Sequence, residues 1–311
     1  MDAVQALSAD LVAVLVAVTA GAPRVLTIQD GHSLPSGPLE PAHRSLQSGL
    51  RAWVEQQTHH PLGYVEQLYT FADQDQDRAR DGATRAISVS YLALTQEALP
   101  AAGQEADWRG WYDYFPWEDH RDGPPQLIAD ILAPGLRRWA SAATDRSERL
   151  QRAAVTFGLD GKPWNEELVL QRYELLHEAG LVPEAALVPT LTPGKRRPKQ
   201  VPGQPMHLDH RRILATGIAR LRAKIKYRPV VFELMPPHFT LLYLQQSVEG
   251  IAGRRLHKQN FRRLVEQQAL VEETGGLDAG AGGRPAKLFR FRRDVLAERA
   301  VAGSKLPLSR P

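Results

Sequence analysis

The stretch from Thr240 to Arg292 limits the possible folds more than any other part of the chain. Thr240 supplies the side-chain oxygen of a helix N-cap. Leu241, Leu244, Val248 and Ile251 follow at spacings of three and four, which makes one apolar stripe. Gly253 is a helix stop. After a short turn, residues 257–268 repeat the helical pattern, with Phe261, Leu264 and Val265 as the buried face. At ~100° per residue, Gln259, Arg262, Arg263 and Glu266 point the other way, with Lys258 and Asn260 on the flanks. A glycine-rich loop at 275–283 and an alternating apolar and basic strand (KLFRFR) then predict a β-hairpin. Two helices joined by a glycine-containing turn and followed by a hairpin make a winged helix-turn-helix. The guanidinium and amide groups on the second helix can pair with guanine and adenine edges in a major groove. The candidate DNA contacts are therefore Thr240, Lys258, Gln259, Asn260, Arg262 and Arg263, with Arg284 and Lys287 on the hairpin, where a wing meets a phosphate or the minor groove.

A chain of 311 residues exceeds one core, so further domains precede this one. The absence of cysteine excludes disulfides, thiolate zinc sites and a cysteine nucleophile, and it fits a reducing compartment. The net charge is only +4, but it is uneven: basic residues crowd 211–228, 254–263 and 284–293. That distribution points to a polyanion partner such as double-stranded DNA. The apolar run 11–20 is about half the ~20 residues of a membrane span, and Asp10 precedes it in place of a basic flank. It reads as a buried strand, and the protein is expected in the cytoplasm with no membrane attachment.

Residues 10–30 read as strand, turn, strand, and 34–37 (LPSG) as a tight turn. Residues 45–57 form a helix with Leu46, Leu50, Trp53 and Val54 on one face. Strands at 63–71 and 86–95 flank a polar loop containing Asp73, Asp75, Asp77 and Asp81. This mixture predicts an α+β domain over 1–99. Residues 100–205 form an aromatic, partly helical insert, with helices at 127–142 and 166–179 and a Pro/Gly-rich basic linker at 192–205. The C-terminal domain is drawn at 206–311, beginning with a helix at 207–226 and an extended segment at 227–234.

Counted from Gly37, one further pattern emerges. The Nudix box requires Glu, Arg, Glu, an apolar residue, Glu, Glu and Gly at positions 43, 51, 52, 53, 55, 56 and 58. The chain has His43, Arg51, Ala52, Trp53, Glu55, Gln56 and Thr58. The first domain thus resembles a Nudix α/β sandwich whose frame is kept and whose metal carboxylates are lost. Several carboxylates must converge to hold the divalent ion that activates water, and Glu55 alone cannot. No catalytic or metal-binding residues are expected. Residues 64–71 (YVEQLYTF) and 87–94 (ISVSYLAL), together with LHKQNFRRLVEQQALVEETG and GRPAKLFRF, are similar to the Nudix-related transcriptional regulators of NAD metabolism. That resemblance implies a homodimeric regulator, a repressor in its simplest form, whose sensor domain binds ADP-ribose or a related nucleotide. It places Arg51 and Glu55 at the effector site and requires no other cofactor. The long insert at 100–205 departs from the better-known members, which have a much shorter connection.

Two alternatives stay open: a hydrolase with relocated carboxylates (Glu66, or the aspartates of 73–81), and a nucleotide sensor that acts through protein partners. The calcium-loop imitation at Asp73, Asp75 and Asp77 fails, because Arg78 and Thr84 replace the required glycine and glutamate. Glu174 and His177 read as a solvated helix face, and Asp209, beside His207 and His210, reads as an N-cap.

Overall fold

Strand β1 (Leu7–Thr19) is buried on both faces, and its alternation separates two cores. Val12, Val14, Val16 and Val18 face one core, and Leu11, Ala13, Leu15 and Ala17 face the other. An unbroken apolar run suits a strand covered on both sides. A two-residue turn with positive φ at Ala20 and Gly21 returns the chain as β2 (Ala22–Thr27). The computed structural model describes residues 7–72, 85–97, 106–187, 199–278, 285–292 and 294.

Strand β3 (Ser36–Pro38) pairs with β1 where a tight turn was expected at 34–37. The chain reverses earlier, at Gln29, Asp30 and Gly31, all with positive φ, and that leaves 36–38 extended. Helix α1 (Leu46–Thr58) starts at Ser45, whose hydroxyl accepts from the Ser48 amide in a capping box. Strands β4 (Tyr64–Phe71), β5 (Arg85–Leu94) and β6 (Asp107–Gly110) complete one sheet of order β4-β5-β1-β2-β6. Only the β1–β5 pairing is parallel. Strand β6 pairs with β2 and carries Trp108, so the sheet extends past the boundary expected at residue 99.

The insert continues with α2 (Trp111–Tyr114), α3 (Ala133–Ser141), α4 (Arg146–Phe157) and α5 (Val169–Glu178). A π-helical turn, Ile128–Leu132, leads into α3 just before Pro134, which lacks the N–H for a regular α-helical bond. Helix α6 (His210–Lys224) lies on the valine face of the sheet, opposite α1. Gly217 permits the contact: a Cβ there would sit 2.9 Å from Val14 Cγ1. The sheet is therefore sandwiched between α1 and α6, although the sequence placed α6 with the C-terminal domain. Asp209 occupies the N-cap position of α6, but its side chain makes no capping hydrogen bond.

The segment expected to be extended at 227–234 is a 3-10 turn, Val230–Leu234, because Pro229 fixes φ near helical values at its start. Helices α7 (Leu241–Ala252) and α8 (Lys258–Gln267) and the antiparallel hairpin β7 (Val271–Asp278) and β8 (Ala286–Phe291) follow as expected, except that β7 runs on through 275–278, where the glycine-rich loop was placed. Phe239 bridges to Phe289 as a third strand position. Helix α7 is not a separate module: Leu244 and Ile251 belong to the same continuous core as the valine face and the insert aromatics.

Much of the basic run 211–228 is turned toward carboxylates of the protein itself. Arg211 and Arg222 are both 0% exposed. Arg211 pairs with Glu184, Arg212 with Glu174, and Lys224 and Arg220 with Glu66. Glu174 is thus half of an ion pair with α6, on the helix face read as solvated. Glu118 lies between two buried guanidinium groups. Its Oε1 accepts from Arg172 Nε at 2.5 Å, and its Oε2 accepts from Arg172 Nη2 at 2.8 Å and Arg222 Nη1 at 2.6 Å. Burial alone would raise the Glu118 carboxyl, but the two guanidinium charges and their hydrogen bonds hold it below the usual carboxylate range. Removing one member of a buried charge cluster strands the others. Glu118→Ala should cost about 3–5 kcal/mol of unfolding free energy in urea titrations. A loss under about 1 kcal/mol, the scale of an exposed ion pair, would contradict a buried cluster.

Candidate nucleic-acid interface and effector site

The turn between α7 and α8 is fixed by two buried polar side chains one helical turn apart. Glu249 Oε1 accepts from the Leu256 amide at 2.9 Å, and Gln245 Nε2 donates to the Leu256 carbonyl at 3.1 Å and to Glu249 at 2.9 Å. Nothing in the apolar stripe disclosed these residues, although their i, i+4 spacing inside the first helix was a usable signal. Thr240 caps α7 and accepts from the Tyr243 amide at 3.1 Å.

On α8 the structure brings the expected readers together. Lys258, Gln259, Asn260, Arg262 and Arg263 are all exposed, on a helix whose only fully buried residue is Val265. Leu264, expected inside, is 54% exposed. The hairpin places Lys287 at the surface, where it pairs with Glu273 at 2.8 Å, and Arg290 pairs with Glu272 at 2.7 Å. Such exposed pairs are weak and can exchange for a phosphate. Arg284 lies outside the described residues.

The end of α7 is held by the rest of the protein. A helix leaves its last carbonyls without partners inside the helix. Here Tyr112 Oη donates to the Gly250 carbonyl at 2.7 Å, Arg222 Nε to that of Ile251 at 2.9 Å, and the His120 amide to that of Gly253 at 2.8 Å. Arg222 is the same guanidinium that binds Glu118. Gly250 also abuts the β1–β2 turn, where a Cβ would fall 2.1 Å from the Gly21 carbonyl oxygen. The helix-turn-helix is thus keyed directly to the sheet and the insert.

In the first domain, Gly37 lies flat under Trp53: a Cβ would meet the indole at 2.3 Å, and Trp53 Nε1 donates to the Pro38 carbonyl at 2.8 Å. Gln57 bonds both backbone groups of Ser36, at 2.8 and 3.0 Å, and His43 Nδ1 accepts from the Glu40 amide at 3.0 Å. Trp53 and Gln57 therefore tie the loop to α1. Ala52, Glu55 and Gln56 share one exposed helix face, which carries one carboxylate. Among the described residues, no group of three or more His, Asp or Glu could hold a metal. Of the two residues expected at the effector site, Glu55 is exposed, and the Arg51 guanidinium donates to the Leu62 and Gly63 carbonyls. Glu66 faces α6, on the side of the sheet away from α1, and accepts from Tyr64 Oη at 2.5 Å. It is in no position to replace the missing carboxylates of α1. The aspartates of 73–81 lie outside the described residues.

Residues 231–291 match the model of the NrtR DNA-binding winged helix domain. That part of the chain is similar to the winged helix of the NrtR regulators. The ADPR responsive transcriptional repressor NtrR of Acinetobacter baylyi is 45% identical over 83 residues, which is 27% of this chain and 33% of that protein. The match thus spans about a third of the curated relative. The crystal structure of Shewanella oneidensis NrtR complexed with a 27mer DNA is similar across 93% of this chain and 95% of that one, at 20% identity and a TM-score of 0.56. A MutT/nudix family protein from Enterococcus faecalis is similar over 94% of this chain and 89% of its own, at 16% identity and a TM-score of 0.50. Over the residues that these likenesses cover, the fold is that of a Nudix-like sandwich followed by a winged helix. Among the described residues, no helix is long and apolar enough to cross a membrane.

The α7 contact carries a prediction of opposite sign to helix propensity. Alanine in place of a mid-helix glycine normally gains up to about 1 kcal/mol. Gly250→Ala should instead lose about 1–3 kcal/mol, since the new methyl meets backbone. A rise in thermal midpoint would mean that the helix does not rest on the β1–β2 turn.

Proposed function

We propose that the protein is a DNA-binding transcriptional regulator that reads an operator through α8 and senses a nucleotide through its Nudix-like domain. The observation that carries this reading is the row Lys258, Gln259, Asn260, Arg262 and Arg263, exposed together on the second helix of an NrtR-type winged helix. Thr240, Lys287 and Arg284 would contact the backbone or the minor groove. They position the domain, while the α8 side chains specify sequence. Repression is the sign carried by the Acinetobacter relative's name, and "ADPR responsive" makes ADP-ribose the first effector to test. Genes of NAD metabolism are the proposed targets and the cytoplasm the proposed compartment. Glu55 is the exposed effector candidate on α1, and Arg51 beside it keeps donors beyond the two that hold the Leu62 and Gly63 carbonyls.

The protein would act as a homodimer that places two α8 helices in half-sites about one helical turn apart, or a multiple of it. An effector shifts such a dimer only if it binds the two arrangements unequally. The docking of α7 onto Tyr112, Arg222 and His120 gives the sensor half a direct hold on the reader.

We further infer that the sensor does not hydrolyse its ligand, because α1 presents one carboxylate on its exposed face and Glu66 is committed to α6.

Fluorescence anisotropy on DNA from upstream of the protein's own and neighbouring genes tests the regulator. Selective binding that changes with ADP-ribose is expected. Arg262→Ala and Arg263→Ala should each cost ~1–3 kcal/mol of specific affinity. Unchanged affinity in both variants would remove α8 from the reading role. With Mg²⁺ and ADP-ribose, no turnover is expected; hydrolysis at an ordinary rate of about 10 s⁻¹ would restore the enzyme reading.

A further inference from the structure

A cavity of about 290 Å³ lies beneath α8, between the winged helix and the end of α6. Both halves of the protein build it. Val248 of α7 and Phe232 of the preceding turn line one side, and Phe261 and Leu264 of α8 line the other. This explains two features of α8 that packing alone leaves open: a single buried residue on the helix, and a leucine more than half exposed on its inner edge.

The mouth is charged. Lys226, Arg228 and Arg254 line it, with Glu166 as the lining carboxylate. Glu166 is already engaged by Lys226 at 2.9 Å and lies 3.5 Å from Arg254, while Lys226 also pairs with Glu167 at 2.6 Å. Three cations against two carboxylates leave a net positive rim around an apolar interior.

We propose that this cavity binds a small amphipathic anion, a monocarboxylate with an apolar tail, and that its occupancy sets the pitch of α8. At about 30 Å³ per water-sized unit, the space holds about ten non-hydrogen atoms, the size of octanoate. The tail would lie among Val248, Phe232, Phe261 and Leu264, and the carboxylate would meet Arg228 and Arg254 at the rim. Because the lining comes from both halves, a bound tail bears on the junction that holds the reader to the sensor. Occupancy of the site stands apart from the DNA-reading proposal; only its consequence for DNA rests on that reading.

Titration calorimetry of the full chain with octanoate tests occupancy. One site per chain is expected, with affinity falling about fourfold for each methylene removed. Octan-1-ol should bind about tenfold more weakly, because it lacks the charge-assisted contact. Val248→Trp should abolish binding by filling the space. Arg228→Glu, at an exposed position, should weaken octanoate about tenfold and spare octan-1-ol. No saturable octanoate binding, or binding unchanged in Arg228→Glu, overturns the site. Equal binding of octan-1-ol overturns the anionic class. Anisotropy on operator DNA should then shift with octanoate in the wild type and not in Arg228→Glu. Binding without any such shift overturns the effect on α8. Failure of the wild type to bind DNA selectively would sink the regulator reading and leave the ligand site standing.

Discussion

The carbonyls at the end of α7 must find donors, and they find them outside the winged helix. A helix terminus buried without partners is costly, so the groups that satisfy it become part of the domain's foundation. Tyr112, His120 and Arg222 fill that role. Arg222 is in turn neutralised by Glu118, and Glu118 by Arg172 on α5, whose guanidinium also donates to the Thr156 and Asn165 carbonyls. One chain of buried hydrogen bonds thus runs from the insert through the sheet-covering helix to the reader. Such clusters contribute little net stability compared with well-packed apolar residues, but they tolerate few alternative geometries. That gives the long insert a physical role: it supplies Glu118, Arg172, Tyr112 and His120, and so decides where the helix-turn-helix sits.

The Nudix-like half shows the reverse economy. Its fold depends on the alternation of β1 and on two helices that seal the two faces, and neither needs a metal site. With the α1 carboxylates gone, the loop before the helix is held by the indole of Trp53, the amide of Gln57 and the imidazole of His43. These neutral contacts keep the Nudix frame. What remains on the exposed face of α1 is one carboxylate, Glu55, between Ala52 and Gln56.

The local elements were legible because they depend on local chemistry. Thr240 caps where a short side-chain oxygen precedes an apolar stripe, and Gly253 ends α7 in the left-handed conformation. The exposed face of α8 followed from helical periodicity alone. The errors have physical causes as well. Leu264 was assigned to the core because its stripe cannot reveal a cavity beneath it. Strand β6 and helix α4 were missed because four residues around a tryptophan, and twelve residues rich in arginine, carry little periodic signal.

By itself the sequence determined the elements of the reader, the degenerate box and the direction of the recognition side chains, since each depends on neighbours within a few residues. Only the tertiary structure decided the fate of the charges. Arg211, Arg222 and Lys224 looked like a surface for a polyanion, yet their partners are Glu184, Glu118 and Glu66, residues 27 to 158 positions away in the chain. A side chain's charge is local, but whether it meets water, DNA or a buried carboxylate depends on which distant elements pack beside it. For α6 that choice was made by the sheet, where Gly217 gives the helix room against Val14 and Arg211 and Arg222 lie buried.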